Sequence, residues 1–195
     1  MPLTAPHAPP PDHPSCLARC ARTRCRRGRH DLAVRFDLTQ TIAAPVDEVA
    51  RAYASAELYA HLGGTDKLGP PDVLERTEDG DTVTLRIRYR FVADLSPAVT
   101  AVVDPRKLTW VERSVHDLGA RSVAVTLHPD HYADRLRCTG TYGYTAAGGS
   151  TVRQIDGDLR VKALLVAGAV EKAIVSGLTE HLQAEAPQVE AYLRG

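Results

Sequence analysis

From Val34 onward, apolar and polar residues alternate in short runs that end at glycine- or proline-rich turns. That is the pattern of strands wet on one face and covered on the other. Val34, Phe36, Leu38 and Ile42 alternate with Arg35, Asp37, Thr39 and Thr41, which leaves Gln40 on the apolar side. The clearest strand has Leu85, Ile87, Tyr89 and Phe91 inward, with Arg86, Arg88 and Arg90 outward. Further strands are predicted over Asp72 to Thr77 and Lys107 to Asp117, and around Val123, Val125 and Leu127. Two more follow, one carrying Leu136, Cys138, Tyr142 and Tyr144, the other Ile155, Leu159 and Val161. Asp79-Gly80 and Gly148-Gly149 supply hairpin turns. Between Trp110 and Val115 the alternation breaks, which predicts a bulge.

Helical signals frame these strands. Ala44-Pro45 opens a short helix with Asp47 and Glu48 where the helix dipole favours anions. Val46, Val49, Ala50 and Tyr53 form its inner stripe. A second helix, from Ser55 to Leu62, stops at Gly63-Gly64. Ser96-Pro97 reads as a cap and first-turn proline for residues 97–103, with a strand as the alternative. From Leu165 to Leu193 a long helix carries Leu164, Ala167, Val170, Ile174, Leu178 and Leu182 on one side. Pro187 is expected to kink or divide it. The order predicts an α+β, helix-grip architecture: a curved antiparallel sheet of about six to seven strands wrapped on the terminal helix. Such a grip encloses a cavity.

The first 33 residues differ from the rest. They hold six prolines within residues 1–14 and six of the 24 basic residues, against two of the 24 acidic ones. They read as a disordered leader, possible translation from upstream of a true start at Val34 included. Residues 34–195 then form one domain. Cys16, Cys20 and Cys25 with His13 and His30 match no common zinc spacing, and their arginine-rich surroundings repel a dication. No metal or cofactor is expected. Leu17–Ala18 is too short for the apolar run of a secretory signal.

The remaining 18 basic and 22 acidic residues give no electrostatic reason to expect nucleic acid or an anionic membrane as partner. Ala163 to Val170, the longest apolar stretch, falls well short of the roughly 20 residues of a membrane span. Beyond the leader Cys138 stands alone, so no disulfide framework is predicted and a reducing cytoplasm fits.

The passage TIAAPVDEVARAYAS at 41–55, after a first strand and ahead of a long terminal helix, resembles the START-like superfamily of birch-pollen-allergen and polyketide-cyclase (SRPBCC) relatives. VKALLVAGAVEK at 161–172 resembles a motif of a largely actinobacterial branch that reads Val-Lys-Val-Pro-Leu-Val-Gly-Gly-Lys-Ile-Glu-Lys. Val161, Lys162, Leu165, Val166, Gly168, Glu171 and Lys172 match it, while Leu164 and Ala167 depart from its proline and glycine. The resemblance covers residues 34–195 and transfers no catalytic residue. It implies a cavity between sheet and helix that takes lipids, polyketides or other apolar molecules.

The residues expected to line that cavity are Phe36, Leu38, Gln40, Ile87, Tyr89, Tyr142, Tyr144, Glu171, Ile174 and Leu178. Glu171 falls inside the apolar arc of the terminal helix, either as a polar anchor or acid, or as a structural carboxylate accepting backbone N–H bonds. Cys138 reads as a small inert hydrophobe. Ser114, His116 and Asp117 do not form a triad, because neighbours on a strand alternate faces. Binding of a small apolar molecule is therefore the expected function. Two other classes stay open: a cyclase- or hydratase-type enzyme with Glu171 as acid–base and a tyrosine as oxyanion donor, and a protein-interaction domain with a collapsed core.

Overall fold

The computed structural model describes residues 33–101, 103–162 and 167–195. The leader and Leu164 lie outside the described residues. Strand β1 (Val34–Ile42) is followed by helices α1 (Val46–Tyr53) and α2 (Ala56–His61), then by strands β2 (Asp72–Asp79) and β3 (Thr82–Arg90). A four-residue helix α3 (Pro97–Thr100) precedes β4 (Thr109–Asp117), β5 (Ser122–Pro129), β6 (Leu136–Ala147) and β7 (Ser150–Val161). Helix α4 (Ala167–Arg194) closes the chain. The seven strands form one curved antiparallel sheet in the order β1-β7-β6-β5-β4-β3-β2. The architecture is the predicted α+β helix grip. No helix of the described residues is long and apolar enough to cross a membrane.

Local chemistry explains the elements. Gly80 (φ +57°) turns β2 into β3, while Gly148 (+58°) and Gly149 (+91°) turn β6 into β7, backbone that side chains resist. Pro45 sits just before α1, with Asp47 and Glu48 in the first turn. The Leu58 amide donates to Ser55 Oγ at 3.3 Å, capping α2. Ile42, Val49, Tyr53, Leu58, Val83, Leu85, Ile87 and Val189 are all but inaccessible to water and join α1, α2 and the C-terminal half of α4 to the sheet.

Two expectations need correction. The β3–β4 and β4–β5 ladders are regular along all of β4, so no bulge separates Trp110 from Val115. Polar side chains occupy the inward positions instead: Glu112, Ser114 and His116 pair with Ile87, Leu85 and Val83 of β3. The register shift lies in β2, between Val73 and Glu75. Pro187 does not divide α4, which is assigned as one helix from Ala167 to Arg194. The proline withholds one N–H from the helix ladder, while Val189 and Leu182 anchor its flanks in the core.

One inward column runs Phe36, Gly157, Gly140 and Val125 across β1, β7, β6 and β5. The Phe36 ring lies over Gly157: a Cβ at that glycine would fall 2.2 Å from Phe36 Cζ. The ring fills the space that Gly157 leaves empty.

Candidate functional site

The N-terminal half of α4 covers space that side chains do not fill. An apolar chamber of about 150 Å³ is walled by Phe91, Leu127, Leu136, Leu159, Ile174 and Leu178, among others. A neighbour of about 120 Å³ shares Leu108, Trp110, Leu136 and Ile174 with it. An inner chamber of about 40 Å³ shares Leu68, Trp110, Leu127 and Leu178 with the apolar one. Its other walls mix apolar residues such as Phe36, Val125 and Leu182 with Glu112, Tyr142, Arg153, His181 and Glu185.

Arg153 organises this inner end. Its position on β7 has the inward parity of Ile155 and Leu159, opposite Gln40 on β1 and Tyr144 on β6. Nη1 donates to Glu185 Oε1 at 3.0 Å, to the Tyr53 hydroxyl at 2.8 Å and to Gln40 Oε1 at 3.2 Å. The guanidinium lies over the rings of Tyr53 (3.9 Å) and Tyr142 (4.5 Å). Gln40 Nε2 in turn donates to the Leu182 carbonyl, tying β1 to α4. A charged arginine in the core thus meets a carboxylate, an amide, a hydroxyl and two ring faces, while its Nε has no partner among the described residues.

Glu112 is different. Its cross-strand neighbours on β3 and β5 are Ile87 and Leu127, and no side chain or backbone group bonds to its carboxyl among the described residues. Burial raises it to about 7, with the nearby Glu185 carboxylate adding to the effect and Arg153 opposing it. His181 is held below its ordinary value by burial, although Glu185 Oε2 lies 3.6 Å from Nε2. Its ring meets Tyr89 edge-on at 5.7 Å, and Tyr89 stacks on Trp110 at 5.9 Å.

The ten expected lining residues divide. Phe36, Tyr89, Tyr142 and Leu178 face the inner chamber, and Ile174 with Leu178 the apolar ones. Gln40 holds Arg153 from behind. Ile87 is fully buried in the core, Leu38 is half-buried on β1, and Tyr144 is buried against Tyr53 at 5.8 Å; these three border no chamber. Glu171 also borders none: its Oε1 accepts the Val161 N–H at 2.8 Å, fastening the start of α4 to the end of β7. That is the structural role left open for it.

Glu112, Arg153, His181 and Glu185 were not anticipated. Two of them carried a signal: Arg153 shares parity with Ile155, and Glu185 lies at helical spacing from Leu178, Leu182 and Val189. Ser114 and His116 are buried together, Nε2 3.0 Å from Oγ, while Asp117 is exposed and accepts the Ala120 N–H at 2.7 Å, so no triad forms. No set of three or more metal-ligating side chains gathers among the described residues.

The fold recurs in solved structures. The Zhui aromatase/cyclase from Streptomyces sp. R1128 superposes with a TM-score of 0.57 at 19% identity, over 83% of this chain and 94% of that one. TTHA0849 from Thermus thermophilus gives 0.56 at 18% identity, over 82% and 97%. Norcoclaurine synthase from Thalictrum flavum gives 0.54 at 19%, over 93% and 98%. At 18–19% identity these are likenesses of fold, the helix grip described above. No curated protein matches the sequence. Residues 37–193 match the family model described as Protein of unknown function (DUF2505), and the chain belongs to that family.

Proposed function

We propose that the protein binds a small, largely apolar molecule between the sheet and α4, with its polar end in the inner chamber. One observation carries this reading: an apolar chamber adjoins one that brings charged side chains into a largely apolar wall, across the shared residues Trp110, Leu127 and Leu178. Together the three spaces come near the lower end of the roughly 300–1,000 Å³ typical of ligand pockets. Structural neighbours named as an aromatase/cyclase and a synthase support a small-molecule role in general terms. The near-balanced charge and the unpaired, buried Cys138 support a cytoplasmic protein without a nucleic-acid partner.

The test is native mass spectrometry of the full chain, then organic extraction of whatever it releases. A stoichiometric adduct, lost in Ile174→Trp or Leu178→Trp variants that still fold, supports the reading. A bare chain that also takes up nothing from a panel of lipids and polyketides overturns it.

Catalysis by proton transfer is the second reading. It is favoured by the Glu112 carboxyl, which faces the chamber and sits at about 7, near the value a general acid or base needs. Glu171, spoken for by the Val161 amide, does not share that position. Turnover of an extracted ligand by the wild type, lost in Glu112→Gln, is the check.

A further inference from the structure

The inner chamber holds more negative charge than it neutralises. Arg153 and Glu185 satisfy each other at 3.0 Å. His181 is neutral near pH 7 because burial lowers its value. Tyr59, Tyr89 and Tyr142, from α2, β3 and β6, are held neutral by burial, as is the Cys138 thiol of β6. Glu112 and Asp156 of the lining have neither an ion pair nor a hydrogen bond among the described residues; Asp156 is exposed on the outer face of β7, opposite Asp37 and Thr141, whereas Glu112 faces inward from β4. Once ionised, it leaves the chamber one cation short.

The same chamber shows how this fold holds a cation. Around Arg153 it uses one carboxylate and two ring faces, Glu185 with Tyr53 and Tyr142. Around Glu112 the ingredients recur: a carboxylate, with the Tyr89–Trp110 stack and Tyr142 in the walls. Here no cationic side chain pairs with the carboxylate among the described residues. We infer that the ligand is a lipophilic amine, its protonated head paired with Glu112 and its apolar body in the chamber beyond Trp110 and Leu178. This inference rests on the ligand-binding reading above and names its chemical class.

Size and charge agree with it. About 40 Å³ admits an ammonium group and little more, while about 150 Å³ admits a short alkyl or aryl body. An anionic head would meet the carboxylates of Glu112 and Glu185, with Asp156 also in the lining, and an arginine whose Nη1 is already shared among three acceptors. Two donors nearby, Arg153 Nε and His181 Nδ1, lack partners, but both are shut away from water-sized space. Glu112 is the group that a ligand reaches.

The test uses the full chain and three probes of equal length: hexylamine, 1-hexanol and hexanoate, titrated by calorimetry. At about pH 8, where Glu112 is ionised and the amine protonated, hexylamine is expected to bind about tenfold tighter than hexanol. At about pH 5.5, with Glu112 protonated, that preference shrinks toward unity. Glu112→Gln removes the preference at both pH values. The pH arm in the wild type stands even if that variant does not fold. Equal affinity for amine and alcohol at about pH 8, or a preference for hexanoate, overturns the amine and leaves a cavity that binds apolar ligands. No binding of any probe overturns both readings.

Discussion

Arg153 Nη1 lies 3.0 Å from Glu185 Oε1, and both side chains are almost closed to water, at 3% and 5% exposure. The pair joins β7 to the C-terminal half of α4. Both charges are nearly closed to water, so removing one strands the other. Glu185→Gln or Arg153→Met is expected to destabilise the fold by about 3–5 kcal/mol, read as a lower urea midpoint. The double variant Arg153→Met/Glu185→Leu should recover most of that loss, because desolvation of both charges disappears. A double variant as weak as the sum of the singles would show that the pair acts through packing alone.

Two inward groups on β4 work against each other as pH changes. Glu112 titrates at about 7 in the fold, above an unfolded glutamate, so stability falls as pH rises from about 4.5 through 7. His116 is pushed by burial, with Arg153 and Arg76 adding, to about 4. Its contribution is therefore full above about 6.5 and lost as pH falls toward 4. His181, also lowered, adds to the second trend. In the wild type the opposing slopes mask each other. Glu112→Gln exposes the histidine slope, a rise on the order of 2 kcal/mol between about pH 4 and 6.5. His116→Gln exposes the falling one. Urea unfolding across that range checks both, and parallel profiles in wild type and Glu112→Gln would remove Glu112 from the account.

Cys138 faces inward from β6, and burial pushes its thiol up to about 12. Its thiolate is scarce at neutral pH, and its side chain is almost closed to water. Alkylation of the native chain, mapped by peptide mass spectrometry, is expected to leave Cys138 unmodified until denaturant is added. Prompt labelling at position 138 would mean that the inner face opens readily.

Gly157→Ala sets a methyl against the Phe36 ring and is expected to cost about 1–3 kcal/mol. Thermal unfolding should show that cost nearly vanish in a Phe36→Ala background, where the space is free. Full additivity would mean that the glycine is needed by its backbone instead.

The sheet and its helices were legible because their apolar residues keep a period of two or 3.6 along most of the chain. The site was legible only at its greasy end. Ile174, Leu178, Tyr89 and Tyr142 announce themselves by pattern, whereas the polar end contradicts it. Val111 and Val115 lie on the outer face of β4 while Glu112, Ser114 and His116 turn inward, and a hydrophobic reading takes that inversion for a bulge. Arg153 and Glu185 are hidden for the same reason. Each is a charge in an apolar register, tolerable only because the other, more than thirty residues away, meets it in space. Glu171 lies in the apolar arc of α4 too, yet the end of β7 reaches it and supplies a strand amide instead of a cavity.

Phe36 and Gly157 have a consequence for how this sequence can drift. Neither position is free to vary by itself: a side chain gained on β7 requires one lost on β1, and a smaller residue on β1 opens a hole over β7. Among family members the two positions are therefore expected to exchange bulk in step, large with none or medium with small. The strand pair carries one shared allotment of volume, divided between two codons some 120 residues apart.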